Sequence, residues 1–132
     1  MEQQGIRGKM IRNAPMKRYT SMRVGGSAPY LFYPEGEREI TTIMEWLRRR
    51  GTPFRFLGNG TNVIVADRGV NAGVIRTTRI RHLRFQKTNG GALVEAAGGL
   101  ALRALIGECQ RRGLSGLEKL YGIPGTVGAL SE

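Results

Sequence analysis

One cysteine and one histidine occur among 132 residues, and each scarcity removes a class of chemistry. Cys109 alone makes no internal disulfide framework, and no CxxC pair is present to hold a metal. His82 alone does not build a His-rich metal centre. No apolar run approaches the length of a membrane span. The opening Met1-Glu2-Gln3-Gln4-Gly5 lacks the apolar core of a signal peptide. A cytoplasmic protein is the expectation. Acidic residues are also few, 10 against 21 Lys and Arg, which leaves a formal charge of +11. Such a balance draws anions: nucleic acid, acidic lipid or phosphorylated small molecules. Helix-turn-helix and zinc-finger spacings are missing, as is an aromatic-rich RNA-binding motif. The arginines are spread along the chain, so the charge reads as a solvated surface. Internal repeats and low-complexity segments are absent as well.

What is present is a turn-rich globular chain. An apolar fraction of 40% with 20 glycines fits an α/β or α+β protein of one domain or two small lobes. Residues 1–18 are polar and basic with little periodicity and read as an irregular lead-in. Ala28-Pro29-Tyr30-Leu31-Phe32-Tyr33 reads as a strand, with Pro29 expected at its start or on an edge. Pro34-Glu35-Gly36-Glu37 opens a helix whose Ile40, Ile43, Met44 and Leu47 recur at one buried face. Acids lie in its first turn, Arg48-Arg49-Arg50 in its last, and Gly51 is placed to cap it. Phe54–Leu57 follows as a strand. Strand, helix, strand predicts a right-handed βαβ unit with parallel strands.

The segment Leu57-Gly58-Asn59-Gly60-Thr61-Asn62 sits between Phe54-Arg55-Phe56-Leu57 and the β-branched Val63-Ile64-Val65-Ala66, so both flanks read as strands. A turn of Gly, Asn and Thr exposes several N–H groups on one side, a nest for a phosphate. Gly58 and Gly60 admit positive φ and close approach, and Asn59, Thr61 and Asn62 add polar side chains. The same residues also make an ordinary crossover or hairpin turn. No Gly-Lys-Ser/Thr follows, so this is not a P-loop, and no helix follows, so it is not a Rossmann fingerprint.

A second lobe begins near residue 77. Gly73–Arg76 is a short strand, and Leu83–Gln86 and Ala92–Ala97 form an antiparallel pair about Asn89-Gly90-Gly91. A helix over about 100–112 carries Ala101, Leu102, Leu105, Ile106 and Cys109 on one apolar stripe, so Cys109 reads as core. Trp46 and Met44 read as packing residues. The chain then runs through Gly116-Leu117-Glu118-Lys119-Leu120-Tyr121-Gly122-Ile123-Pro124-Gly125-Thr126-Val127-Gly128, a glycine loop stiffened by Pro124.

The two glycine loops, one lobe apart, resemble those of the UDP-N-acetylenolpyruvoylglucosamine reductases, flavin enzymes of bacterial peptidoglycan synthesis. Arg18-Tyr19-Thr20-Ser21-Met22-Arg23-Val24-Gly25-Gly26 is similar to that family's opening motif, and Ala96-Ala97-Gly98-Gly99-Leu100 to its strand-to-helix turn. The resemblance runs from about residue 17 to Gly128 and rests on four motifs in order. It implies an α+β fold of the vanillyl-alcohol-oxidase, or PCMH, type, with FAD between two lobes, the first complete and the second truncated. Its implied partition is residues 1–18 as lead-in, 19–76 as the first lobe and 77–132 as the start of the second, with the substrate domain absent. It implies that Gly58, Asn59, Gly60, Thr61, Asn62 and Val63 hold the FAD pyrophosphate. Gly122, Ile123, Pro124, Gly125, Thr126, Val127 and Gly128 would lie along the cofactor. Neither loop contains a histidine, so noncovalent FAD is expected.

In that family NADPH supplies a hydride that reaches the enolpyruvyl double bond of a UDP-sugar, giving UDP-N-acetylmuramate. The family's catalytic arginine, serine and glutamate lie beyond the segment matched here, so no catalytic residue is carried over, and neither Ser131 nor Glu132 takes such a role. The expectation is the FAD-binding portion of the reductase, which by itself folds its first lobe, binds FAD weakly or not at all and does not turn over substrate. An incomplete second lobe would leave Leu105 and Ile106 uncovered and invite self-association. The alternatives are a catalytically silent remnant of the flavin fold and a basic module that binds anions or nucleic acid.

Overall fold

A computed structural model describes residues 5–130; Ser131 and Glu132 lie outside the described residues, as do positions 1–4 of the expected lead-in. In chain order the elements are β1 (Lys9–Pro15), β2 (Ser27–Tyr33), α1 (Glu37–Arg49), β3 (Phe54–Leu57), β4 (Gly73–Arg76), β5 (Leu83–Thr88), β6 (Gly91–Ala96), α2 (Leu102–Arg111) and the single turn α3 (Val127–Leu130). Short 3-10 turns cover Met16–Arg18 and Glu118–Leu120. Strands β1 to β4 form one sheet in the order β1-β2-β4-β3, and β5-β6 form a separate hairpin.

Two parts of the first lobe differ from the sequence reading. The lead-in is not irregular over Lys9–Pro15, which pairs antiparallel with β2 from Lys9↔Tyr33 to Pro15↔Ser27. Its amphipathic signal is weak because, over residues 9–14, only Ala14 is fully buried. The register leaves Asn13 and Pro29 without a ladder pair; Pro29 has no N–H, and Asn13 takes φ +47°. Pro29 therefore sits early in an interior strand rather than on an edge. The second difference is Val63–Ala66, which forms no strand. Its place beside β3 is taken by β4, parallel from Phe54↔Gly73 to Leu57↔Arg76. Val65 alone turns into the core while Ile64 is 74% exposed. The Ala66 carbonyl accepts the N–H groups of Gly26 and Gly69 instead of a ladder bond.

Strand β4 also pairs parallel with β2, so β2 and β3 flank it with the same polarity, and α1 connects them. Ile43 and Leu47 of α1 bury against Phe32 and Ile75 of the sheet. Trp46 lies edge-on to Tyr30 at 4.9 Å and to Phe32 at 5.7 Å between ring centroids, which makes it a packing residue. The helix ends in a Schellman motif: Thr52 N–H donates to the Leu47 carbonyl, Gly51 N–H to that of Arg48, and Gly51 has φ +63°. Helix α2 ends the same way, with Leu114 N–H on Cys109 O and Gly113 N–H on Gln110 O.

Leu105 and Ile106 are not left uncovered. They bury with Leu102 and Cys109 against Leu83, Phe85, Val94 and Ala96 of the hairpin and Leu114, Leu117, Leu120 and Val127 of the following segment. The segment after α2 folds back over the stripe, which is why the helix needs no further partner on that face. Among the described residues, the large apolar side chains of this lobe that are exposed are instead Leu93, Tyr121 and Ile123.

Candidate functional site

Strand β3 delivers Gly58–Asn62 to the carboxyl edge of the four-stranded sheet, where parallel strands of α/β folds present ligands. The hydrogen bonding of this turn is one-sided. Arg76, the last residue of β4, donates from Nε to the Gly58 carbonyl at 3.1 Å and from Nη2 to the Asn59 carbonyl at 3.1 Å. Its Nη1 donates to the Tyr33 hydroxyl at 3.2 Å, which orients the guanidinium. The Gly60 carbonyl accepts from Ser21 N–H at 2.9 Å. Three consecutive carbonyls are thus drawn back into the protein. The N–H groups of residues 58–63 have no acceptor among the described residues. A row of free donors with its carbonyls turned away is an anion nest.

The second glycine loop reaches the same place by a different route. Leu102 N–H donates to Gly125 O, Val127 N–H to Leu100 O and Gly128 N–H to Gly98 O, each at 2.9 Å. These bonds, with the bridge Ala101↔Thr126, clamp residues 125–128 onto the start of α2. Thr126, 2% exposed, then meets the first loop: a Cβ added at Gly58 would lie 2.6 Å from its Oγ1. Gly60 is more constrained still. It has φ +72°, and a Cβ there would overlap the Tyr19 carbonyl.

Between the loops lies a groove of about 490 Å³. Gly58, Asn59, Gly60, Thr61, Asn62 and Val63 line one side, and Ile123, Pro124, Gly125, Thr126 and Gly128 the other. Gly122 does not line it, and Val127 turns inward to the α2 core. Phe56, Leu57, Thr77, Gly98 and Ala129 complete the wall, and sequence reasoning did not place them among the site residues. Gly98 carried a signal, since it belongs to the Ala96–Leu100 motif. Arg76 carried none beyond its charge, because its role depends on β4 standing next to β3. No charged side chain lines the groove, so an anion there would be met by backbone N–H groups rather than by a salt bridge.

The histidine is elsewhere. His82 Nε2 lies 3.4 Å from a Glu95 carboxylate oxygen and 3.8 Å from one of Glu37, in a separate surface concavity. Cys109 is buried in the α2 core, as its stripe predicted. Among the described residues no cluster of His, Cys, Asp and Glu is arranged to hold a metal, and no helix is long and apolar enough to cross a membrane.

The sequence pattern of the FAD binding domain family matches residues 28–131, most of the chain. The chain belongs to that family. Among its curated relatives are UDP-N-acetylenolpyruvoylglucosamine reductases. That of Geobacter metallireducens is 37% identical over 123 residues, which is 93% of this chain and 40% of the relative. That of Treponema pallidum is 36% identical over 93% of this chain and 36% of its own length. Among solved structures, the reductase of the same name from Thermus caldophilus superposes with a TM-score of 0.63 at 35% identity, covering 93% of this chain and 40% of that one. Cholesterol oxidase from Brevibacterium sterolicum superposes at 0.65 over 85% of this chain and 22% of its own, at 13% identity, a likeness of fold alone. The chain spans about 40% of the length of the curated relatives it matches.

Proposed function

We propose that this chain is the FAD-binding portion of an NADPH-dependent reductase that converts a UDP-N-acetylglucosamine enolpyruvate to UDP-N-acetylmuramate for bacterial cell-wall synthesis in the cytoplasm. The single observation that carries the cofactor reading is the turn at residues 58–63, whose N–H groups are unclaimed while Arg76 and Ser21 hold its carbonyls. A diphosphate fits such a donor row. The relatives' shared name supports the reaction.

When bound, FAD supplies two-electron transfer between the nicotinamide and the enolpyruvyl carbon. This chain's own residues bind and orient it. The turn from Gly58 to Val63 would hold the pyrophosphate, and Ile123, Pro124 and Gly125 on the facing side of the groove would hold the rest of the cofactor. Thr126, buried between the loops, holds them at a fixed spacing. The cofactor is held noncovalently: neither loop offers a histidine, and His82 sits with Glu37 and Glu95. No residue of this chain is assigned to hydride or proton transfer.

Titrating the full chain with FAD while following flavin fluorescence and thermal melting tests the reading. Saturable binding is expected, with a stabilisation of about 2.7 kcal/mol at a hundredfold excess over Kd. A folded sample whose melting temperature does not move with FAD overturns it.

A further inference from the structure

A second pocket, of about 620 Å³, lies beside the turn and shares only Asn59 with the groove. It is lined by Lys17, Arg18, Thr20, Arg23 and Arg76, with Tyr19 and Ser21 between them, and no carboxylate contributes. Among the described residues none of Lys17, Arg18, Arg23 and Arg76 has an ion-pair partner, although Glu45 and Glu108 each take two arginines elsewhere. Like charges gathered in one concavity repel unless an anion joins them.

Thr20 supplies an independent sign. It is 6% exposed, and its Oγ1 is buried with no hydrogen-bond partner. Buried hydroxyls are nearly always paired, so an orphan at the wall of a cationic pocket marks a place where a polar ligand group belongs. The backbone agrees. Arg23 adopts φ +53°, a left-handed conformation uncommon for a residue with a side chain, in a turn closed by Arg23 N–H on Thr20 O.

We propose that this pocket is a second anion site that takes a phosphate-bearing small molecule other than FAD. Guanidinium forks pair two-to-two with phosphoryl oxygens, and a hydroxyl donates a charge-assisted hydrogen bond to the same group. Several cations around one hydroxyl suit a multiply charged phosphoryl anion better than a single carboxylate. A concave pocket with its hydroxyl buried suits a small ligand better than the flank of a nucleic-acid strand. The site does not rest on the cofactor reading, since the groove and the pocket share only Asn59.

The test is calorimetric titration of the full chain with inorganic pyrophosphate, alone and saturated with FAD, at about 50 and 200 mM NaCl to vary screening. Thr20→Val keeps the shape and removes the hydroxyl. Arg23→Asn removes a charge while keeping a residue that tolerates positive φ, and Lys17→Gln removes another. Lys87→Gln on the hairpin is the control. Saturable binding that persists with FAD bound, weakens about tenfold in Thr20→Val and Arg23→Asn, and is unchanged in Lys87→Gln supports the site. Thr20→Val should also melt no lower than the parent chain, because the lost hydroxyl had no partner; should it fail to fold, Arg23→Asn and Lys17→Gln decide. Competition by FAD assigns the pocket to the cofactor's own diphosphate and overturns the proposal. So do the absence of saturable binding, an equal loss in Lys87→Gln, and a preference for single-stranded oligonucleotide over pyrophosphate. A chain that fails to bind FAD overturns the preceding reading only, because pyrophosphate is also titrated without FAD.

Discussion

Gly60 has neither the backbone angle nor the room for a side chain: φ is +72°, and the Tyr19 carbonyl occupies the Cβ position. Gly60→Ala is expected to cost about 1–3 kcal/mol from left-handed strain alone, read as a lower urea midpoint, and to abolish saturable FAD binding as the turn shifts. Arg76 acts differently. Its fork spans two carbonyls and the Tyr33 hydroxyl, which a lysine cannot reproduce with one ammonium. Arg76→Lys should weaken FAD about tenfold and also lower the melting temperature of the free chain by several degrees, since each hydrogen bond to a charged group is worth about 1.5–3 kcal/mol. Equal FAD affinity in the variant would show that the carbonyls need no clamp.

At the scale of elements, α1 and α2 are similar devices. Each buries an apolar stripe, closes with a left-handed glycine and places a glutamate under two arginines. On α1 the hydrogen bond from Arg48, with its charge and that of Arg49, holds the Glu45 carboxyl down to about 2 from 4.5. A carboxylate with a depressed folded pKa stabilises above its unfolded pKa, and that contribution fades as pH falls through the folded value. Side-chain NMR should therefore find Glu45 ionised at pH 3.5, with the support to α1 lost between about pH 4.5 and 2; a midpoint at the ordinary value would dismiss the pairing. On α2, Leu102 is 1% exposed, and its N–H holds Gly125. Leu102→Ala should cost about 2–5 kcal/mol in denaturant unfolding and weaken FAD through the second loop. Both helices were legible because their apolar residues repeat at 3.6. Strand β1 was not, because its apolar Met10 and Ile11 are adjacent rather than alternating and only Ala14 is fully buried over residues 9–14. Val63–Ala66 misled for the opposite reason: a β-branched run has strand propensity, yet only Val65 finds a core.

Over the whole molecule, the cations behind the excess of +11 are spread along the chain rather than confined to one segment. Arg48 and Arg49 share Glu45, and Arg111 and Arg112 share Glu108, so half of their charge is offset on the two helices, while Arg76 is held by backbone carbonyls of the turn. Duplex DNA should bind only in the nonspecific range, about 10⁻⁴–10⁻⁶ M, and fall away as salt is raised in a fluorescence-anisotropy titration. Nanomolar affinity would favour the basic-module alternative. The same dispersal leaves the groove to work by backbone dipoles and the neighbouring pocket by side-chain charge.

The sequence by itself determined the glycine turns, both amphipathic helices and the family, because these depend on local backbone freedom, on periodicity and on residues contiguous in the chain. The tertiary structure decided how the site is made. Only the insertion of β4 between β2 and β3 brings Arg76 to the carbonyls of Gly58 and Asn59. Only the return of residues 125–128 onto the start of α2 sets Thr126 against Gly58. Those contacts join residues 17 or more positions apart, and no local pattern encodes them; they follow from strand order and burial.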